Sequence, residues 1–267
     1  MATARTATGL YYEVRGSGPA VLLIPGAGGD GGVFARSAER LADEFSVITY
    51  DRRGNSRSPV EGEAQAAATM RAQAADAAAL IRECGYERAV VYGNSGGGII
   101  ALELLALDAS VVKGMIVHEP PLFAVLPHHD GPNPMQPILD LAGRDPRAAL
   151  AEFLRVNVGE TALAAADAAT RDRMLGNGEA LFKHEIREFL AYRPDETILH
   201  GLPVPLVLLR GSEGLDFAPL TLAWLAERSG VRPGILTGGH CPFLDVADVF
   251  AEELRPILRE LWAAVSS

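Results

Sequence analysis

Ala89-Val90-Val91-Tyr92-Gly93-Asn94-Ser95-Gly96-Gly97-Gly98-Ile99-Ile100-Ala101-Leu102-Glu103-Leu104-Leu105 is the stretch on which the fold turns. Residues 89–92 form a short apolar run, as in a strand buried on both faces. Residues 97–107 carry a helical pattern. The junction reads Gly93-Asn94-Ser95-Gly96-Gly97, a G-x-S-x-G turn. A reversal this sharp forces Ser95, at the tip, into a strained backbone conformation. The residues two before and two after it approach closely, so only small side chains fit. The helix N-terminus behind Ser95 offers free N–H groups and a positive dipole end.

The pattern alone is common in a chain with 28 glycines. Its seat between a strand and a helix gives it weight. The plain alternative is a phosphate-binding turn, but the P-loop lysine and the G-x-G-x-x-G spacing are both missing.

Outward from this turn, short apolar runs alternate with longer amphipathic segments. Strands are expected at 20–24, 46–50, 89–92, 114–117, 205–209 and 234–236, each bounded by Gly or Pro. Helices are expected at 33–43, 66–84, 97–107, 217–229 and 245–263. This alternation predicts an α/β fold with a mostly parallel, doubly wound sheet. A further strand around Gly9 to Arg15 is expected at the sheet edge. The Ala-rich stretch 64–79, with Arg71, Gln73 and Asp76, suits a surface helix.

The alternation breaks between 121 and 200. A proline-rich run opens the break (Pro120, Pro121, Pro127, Pro132, Pro134, Pro137), and helical segments follow at 136–143, 146–157, 160–176 and 178–191. The organisation expected is a core domain of residues 1–120 and 201–267 with an inserted helical cap, 121–200. A lid that excludes water and shapes a pocket is its expected role.

The 267 residues suffice for one domain with a good core and such an insertion. Hydrophobic residues make up 48% of the chain, which argues for a packed globule rather than disorder. The net charge is −10 with no basic run, so nucleic acid and anionic membranes are poor partners. Residues 1–10 lack the apolar region of a signal peptide, and no stretch approaches the roughly 18 apolar residues of a membrane span. Cys84 and Cys241 show neither a disulfide framework nor zinc-ligand spacing. They read as thiols of a reducing compartment, hence a cytoplasmic location.

A serine hydroxyl at the tip of such a turn needs a base to become a nucleophile. Of the six histidines, His240 is the best placed. It lies in Gly238-Gly239-His240-Cys241-Pro242-Phe243, after the last strand, at the same sheet edge as Ser95. His118 ends a strand and suits the core. His128 and His129 lie on the proline-rich run, and His184 and His200 lie in or after cap helices.

The orienting acid has two candidate locations. Glu119 ends the strand at 114–117, in His118-Glu119-Pro120-Pro121. Glu213 and Asp216 follow the strand at 205–209, just beyond Gly211. The position three after Gly211 is Gly214. Glu119 is favoured because a carboxylate among apolar residues is costly unless paired, and a histidine N–H would pair it. Two N–H donors are needed for a developing oxyanion. Gly96 supplies one. The other comes from Pro25-Gly26-Ala27-Gly28-Gly29-Asp30, with Ala27 ahead of Gly28.

Together these segments resemble the α/β-hydrolase superfamily over nearly the whole chain. Tyr11-Tyr12-Glu13, the Pro25-Gly26 loop, Asp51-Arg52-Arg53-Gly54-Asn55-Ser56-Arg57-Ser58, the turn at Ser95 and Gly239-His240-Cys241-Pro242-Phe243 fall in that family's order. Within it the chain is similar to the lactonases that open the macrocyclic ester of zearalenone. They share a Glu after a His at the strand end, as in His118-Glu119. They also share a Pro-x-small oxyanion loop, and a Gly-x-His-x-Pro-aromatic motif followed by Asp-Val-Phe-Ala, here Asp248-Val249-Phe250-Ala251. The resemblance implies a triad of Ser95, His240 and Glu119 with Ala27 and Gly96 as donors. The region 121–200 shows no clear match, so substrate identity does not transfer.

The function expected is that of a cofactor-free, metal-free serine hydrolase acting on a small, apolar ester or lactone through an acyl-enzyme. Carbon–carbon bond hydrolases and cofactor-free haloperoxidases share the triad. A ligand receptor or carrier on a hydrolase scaffold is the alternative from a different class. The oligomeric state, a homodimer included, is left open by the sequence.

Overall fold

The computed structural model describes residues 1–60, 68–127 and 133–264. His128, His129, Pro132 and the first part of the helix expected at 66–84 lie outside the described residues.

Eight strands form one sheet: β1 (Ala2–Arg5), β2 (Tyr11–Arg15), β3 (Ala20–Ile24), β4 (Ser46–Tyr50), β5 (Ala89–Asn94), β6 (Val112–His118), β7 (Leu206–Gly211) and β8 (Gly234–Leu236). Their order is β1-β2-β4-β3-β5-β6-β7-β8. Pairing is antiparallel for β1 with β2 and β2 with β4, and parallel from β4 through β8. Strands β3, β4 and β5 are buried at every position, so their apolar runs are continuous rather than alternating.

The strand at 11–15 is not the sheet edge. Ala2–Arg5 pairs outside it, from Ala2 opposite Val14 to Arg5 opposite Tyr11. All four residues of β1 are exposed, so no hydrophobic periodicity marks them as a strand.

Helices α1 (Ala35–Leu41), α2 (Met70–Glu83) and α3 (Gly96–Asp108) belong to the first half of the chain. Helices α2 and α3 pack against each other, and α1 packs against the C-terminal helix. The polar face expected on α2 is only partly exposed. Arg71 is at the surface, but Gln73 and Asp76 are buried. Arginines following β4 account for this. Arg53 clasps Asp76 through bonds of 2.5 and 2.6 Å, and Arg52 donates to Gln73 Oε1.

Between β6 and β7 the described regular elements are all helical: α4 (Gln136–Ala142), α5 (Pro146–Asn157), α6 (Glu160–Ala165), α7 (Ala168–Gly176), a π-helical turn (Ala180–Glu185), α8 (Ile186–Ala191) and α9 (Glu196–His200), besides a 3-10 turn at Phe123–Val125. The helix expected at 160–176 is broken at Ala166, because the Asp167 side chain caps a new start at Ala169 and Thr170. The segment expected at 178–191 opens with the π-helical turn. Helix α9 is an element the periodicity does not announce; it has one turn and is capped by Asp195.

After β7 come α10 (Ala218–Ser229), α11 (Pro242–Asp245) and α12 (Ala247–Ala263). The helix expected at 245–263 is thus two, separated by Val246. Phe250, Leu254, Leu258 and Leu261 recur at helical spacing on α12 and are all buried. No helix among the described residues is long and apolar enough to cross a membrane.

Candidate active site

Ser95 lies between β5 and α3, at the cap position of the helix. Its φ of 55° and ψ of −125° lie where a residue with a side chain is strained. The turn closes on glycines for a measurable reason. A Cβ on Gly93 would lie 2.2 Å from the Gly97 carbonyl oxygen, and one on Gly97 would lie 2.2 Å from that of Ile24. The Ser95 N–H donates to the His118 carbonyl at 2.9 Å, tying the turn to the adjacent strand β6.

His240 follows β8 and is 6% exposed. Its Nδ1 lies 2.6 Å from Glu119 Oε2. With a carboxylate as partner, Nδ1 carries the proton and Nε2 remains as acceptor, the tautomer that a general base requires. Asn94 Nδ2 donates to the His240 carbonyl at 2.8 Å, and the Phe217 ring stands edge-on to the imidazole at 6.2 Å.

Glu119 is fully buried one residue past β6. Its φ of 46° is a second strained position. Oε1 accepts the Gly211 N–H at 2.8 Å and Oε2 the Leu215 N–H at 3.3 Å. Burial pushes its carboxyl up, but the hydrogen bond with His240, aided by the Gly211 N–H, outweighs this. The net result lies below the usual carboxylate value. Glu213 and Asp216 are exposed, and neither has a hydrogen bond to His240 among the described residues.

His118 points into the core, where its Nδ1 meets the Tyr92 hydroxyl at 2.8 Å. Burial pushes its pKa down to about 3, so it is neutral. His184 is half-buried and His200 exposed, and neither lines the cavity at Ser95. Cys84 and Cys241 are free thiols, and burial raises both.

Ser95 and His240 open into one cavity of about 830 Å³, which Ala27 and Gly96 also line. The N–H groups of Ala27 and Gly96 have no acceptor among the described residues. Met135, Ile138, Phe153 and Leu181 from the helical insertion, with Phe217 and Leu244 from the core, make the walls apolar. Among the described residues the charged side chains on the lining are Asp30, Glu152 and Asp216, with no lysine or arginine. Asp30 is neutralised by Arg173, at 2.6 Å. Among the described residues no group of three or more His, Cys, Asp or Glu could hold a metal ion.

Asn177, which the sequence reading does not single out, fastens the helices between β6 and β7 to the loops after β3 and β4. Asn177 Nδ2 donates to the Gly28 carbonyl at 2.5 Å and to Ser56 Oγ at 2.8 Å, while its Oδ1 accepts the Ser56 N–H at 2.7 Å. Local pattern offers no sign of this, since Asn177 ends a helix like many other asparagines.

Comparison with known proteins places these features in context. The sequence family described as "Alpha/beta hydrolase family" matches residues 21–253. An uncharacterized hydrolase of Bacillus subtilis (strain 168), YraK, is 30% identical over 256 residues, covering 94% of this chain and 93% of that protein. A pimeloyl-[acyl-carrier protein] methyl ester esterase of Stenotrophomonas maltophilia is 29% identical over 266 residues, covering 92% of this chain and 95% of its own. Among solved structures, the N-acyl homoserine lactonase AidH complexed with N-butanoyl homoserine superposes with a TM-score of 0.78 at 20% identity, covering 100% of this chain and 98% of that one.

Proposed function

The chain belongs to the alpha/beta hydrolase family, and on that premise we propose that it is a cofactor-free serine hydrolase of small, apolar, uncharged carboxylic esters or lactones. The observation that carries this reading is the buried 2.6 Å contact between Glu119 Oε2 and His240 Nδ1, with His240 and Ser95 lining one apolar cavity. Ser95 is the nucleophile, His240 the general base and Glu119 the acid that orients the imidazole. Ala27 and Gly96 are the oxyanion donors, and the helices between β6 and β7 are the cap that shapes the acyl pocket.

His240 Nε2 takes the Ser95 hydroxyl proton as Oγ attacks the carbonyl carbon. The oxyanion of the tetrahedral adduct rests on the Ala27 and Gly96 N–H groups. The adduct collapses, and the imidazolium returns the proton to the departing alkoxide, leaving an acyl-Ser95 ester. For a lactone, that alkoxide stays tethered to the acyl chain. Water, deprotonated by His240, then attacks the acyl carbon, releases the acid and restores the serine. The esterase and lactonase among the related proteins support this chemistry.

Burst release of p-nitrophenol from esters of graded acyl length tests the reading. Wild type is expected to turn over medium, apolar acyl chains fastest, and Ser95→Ala to lose activity at every length. Equal rates in both proteins would overturn the proposal.

A further inference from the structure

The peptide between Gly26 and Ala27 is planar and trans, so its carbonyl and its N–H point in opposite directions. Its carbonyl end is held: Gly26 O accepts Arg52 Nη2 at 3.0 Å and the Gly29 N–H at 3.1 Å. Its other end is the Ala27 N–H, directed away from Arg52. The orientation of that N–H is therefore set jointly by the Gly29 turn and by whatever fixes Arg52.

Arg52 is 1% exposed and is gripped by the insertion. Its Nη1 and Nη2 donate to the two carboxylate oxygens of Glu185, at 2.7 and 2.9 Å, in the bidentate fork arrangement. Glu185 is fully buried, closes the π-helical turn and also accepts Asn55 Nδ2 at 2.9 Å. π-helical turns are rare and concentrate at functional sites. Four residues on, Phe189 lies against both Arg52 and Gly96. Its ring centre is 5.6 Å from the Arg52 guanidinium carbon, and a Cβ on Gly96 would lie 2.7 Å from its Cζ.

A buried ion pair is a poor device for stability alone, since well-packed apolar residues serve as well or better. What this pair does that apolar residues would not is to place a fixed positive charge on the Gly26 carbonyl. Charge at the carbonyl end polarises the amide and strengthens its N–H as a donor.

We propose that Arg52, locked by Glu185, is the positioning residue of the oxyanion site, acting through the Gly26–Ala27 peptide. The proposal rests on the reading of Ala27 as an oxyanion donor. It makes the insertion more than a cover, because one of its carboxylates fixes the arginine that holds one donor peptide and one of its rings packs beside Gly96.

The test compares wild type with Arg52→Met/Glu185→Met, which removes both charges together and leaves neither buried alone. Both proteins are assayed on p-nitrophenyl esters. They are also assayed for inhibition by an alkyl trifluoromethyl ketone, which forms a hemiketal oxyanion on Ser95, and by the matching methyl ketone. Loss of a whole oxyanion donor lowers kcat about 100- to 1,000-fold, so loss of its positioning is expected to lower kcat about 10- to 100-fold. KM and methyl ketone inhibition stay within about twofold, while trifluoromethyl ketone inhibition weakens in parallel with kcat. A folded double variant with wild-type kcat and trifluoromethyl ketone affinity would overturn the proposal.

Arg52→Gln/Glu185→Gln keeps a neutral hydrogen-bonded pair and reads the same effect should the first variant not fold. Here wild-type kcat overturns the polarising role, and a loss of about tenfold at unchanged KM supports it. Ser95→Ala runs alongside. If that variant keeps wild-type activity the hydrolase reading itself fails, whereas an inactive Ser95→Ala with unaffected Arg52 variants removes only this proposal.

Discussion

Glu119 Oε1 occupies the space into which a side chain on Gly214 would grow: a Cβ at that glycine would lie 1.8 Å from the carboxylate oxygen. The carboxylate from the end of β6 and a side chain at position 214 are therefore mutually exclusive. Gly214→Ala is expected to displace Glu119, with kcat falling at least about tenfold and Tm falling too, since overpacking a buried site costs about 1–3 kcal/mol. Glu119→Ala/Gly214→Asp brings a carboxylate to the same place from the other strand. It is expected to recover part of the activity that Glu119→Ala loses, as read in steady-state kinetics.

Glu119→Gln keeps the shape and removes the charge that fixes the His240 tautomer. The expected loss in kcat is on the order of a thousandfold or more, by analogy with amide replacement of the triad acid. Glu213→Gln and Asp216→Asn are expected to stay within about twofold, since neither reaches His240. The opposite ranking would remove Glu119 from the mechanism.

Asn177→Ala removes three hydrogen bonds between the insertion and the segments carrying Gly28 and Ser56. The buried partners left behind are expected to cost about 1–3 kcal/mol in urea denaturation. Proteolysis should then cut first within the insertion, with the core sheet protected.

His118 links stability to pH. Its pKa falls from 6.5 to about 3 on burial, so between those values the unfolded chain binds a proton that the folded chain refuses. Stability is therefore expected to fall as pH drops from 6.5 toward 3, with this one group contributing up to about 1.4 kcal/mol per pH unit. His118→Gln, followed by denaturant midpoints at several pH values, should show a shallower decline. Equal slopes in both proteins would mean that His118 is protonated in the folded state.

Of the carboxylates on the cavity lining, Asp30 is paired with Arg173 and Glu152 with Arg155, which leaves Asp216, and among the described residues no lysine or arginine lines the cavity. Esters with an anionic acyl end should therefore suffer. The p-nitrophenyl hemisuccinate is expected to show kcat/KM at least about tenfold below the butyrate, a difference of about 1.4 kcal/mol. Asp216→Asn should narrow the gap, because it removes one repelling charge at the rim.

Much of the framework is legible in the sequence because it is recorded locally. A strand buried on both faces must be apolar throughout, and Gly93, Ser95 and Gly97 mark a turn that only glycine neighbours can close. Elements without a local burial signal escape such reading. Strand β1 is exposed at all its positions and is held by backbone pairing and by the Arg5 side chain, which reaches the Arg57 carbonyl. Gln73 and Asp76 look like surface residues until Arg52 and Arg53 are seen to reach them.

The site divides along the same line. By itself the sequence determined the parallel α/β framework, the strained turn presenting Ser95 and the loop carrying His240, since each depends on periodicity or spacing within a few residues. Only the tertiary structure decided which carboxylate meets His240 and what holds the Gly26–Ala27 peptide. Glu119 lies 121 residues from His240, and Glu185 lies 133 residues from Arg52. The ends of β6 and β7 become neighbours only when the sheet assembles, and the Glu185 carboxylate finds its cation only when the insertion closes over the core. Pairings of that range arise from burial, which leaves a charge no partner but the one packed against it.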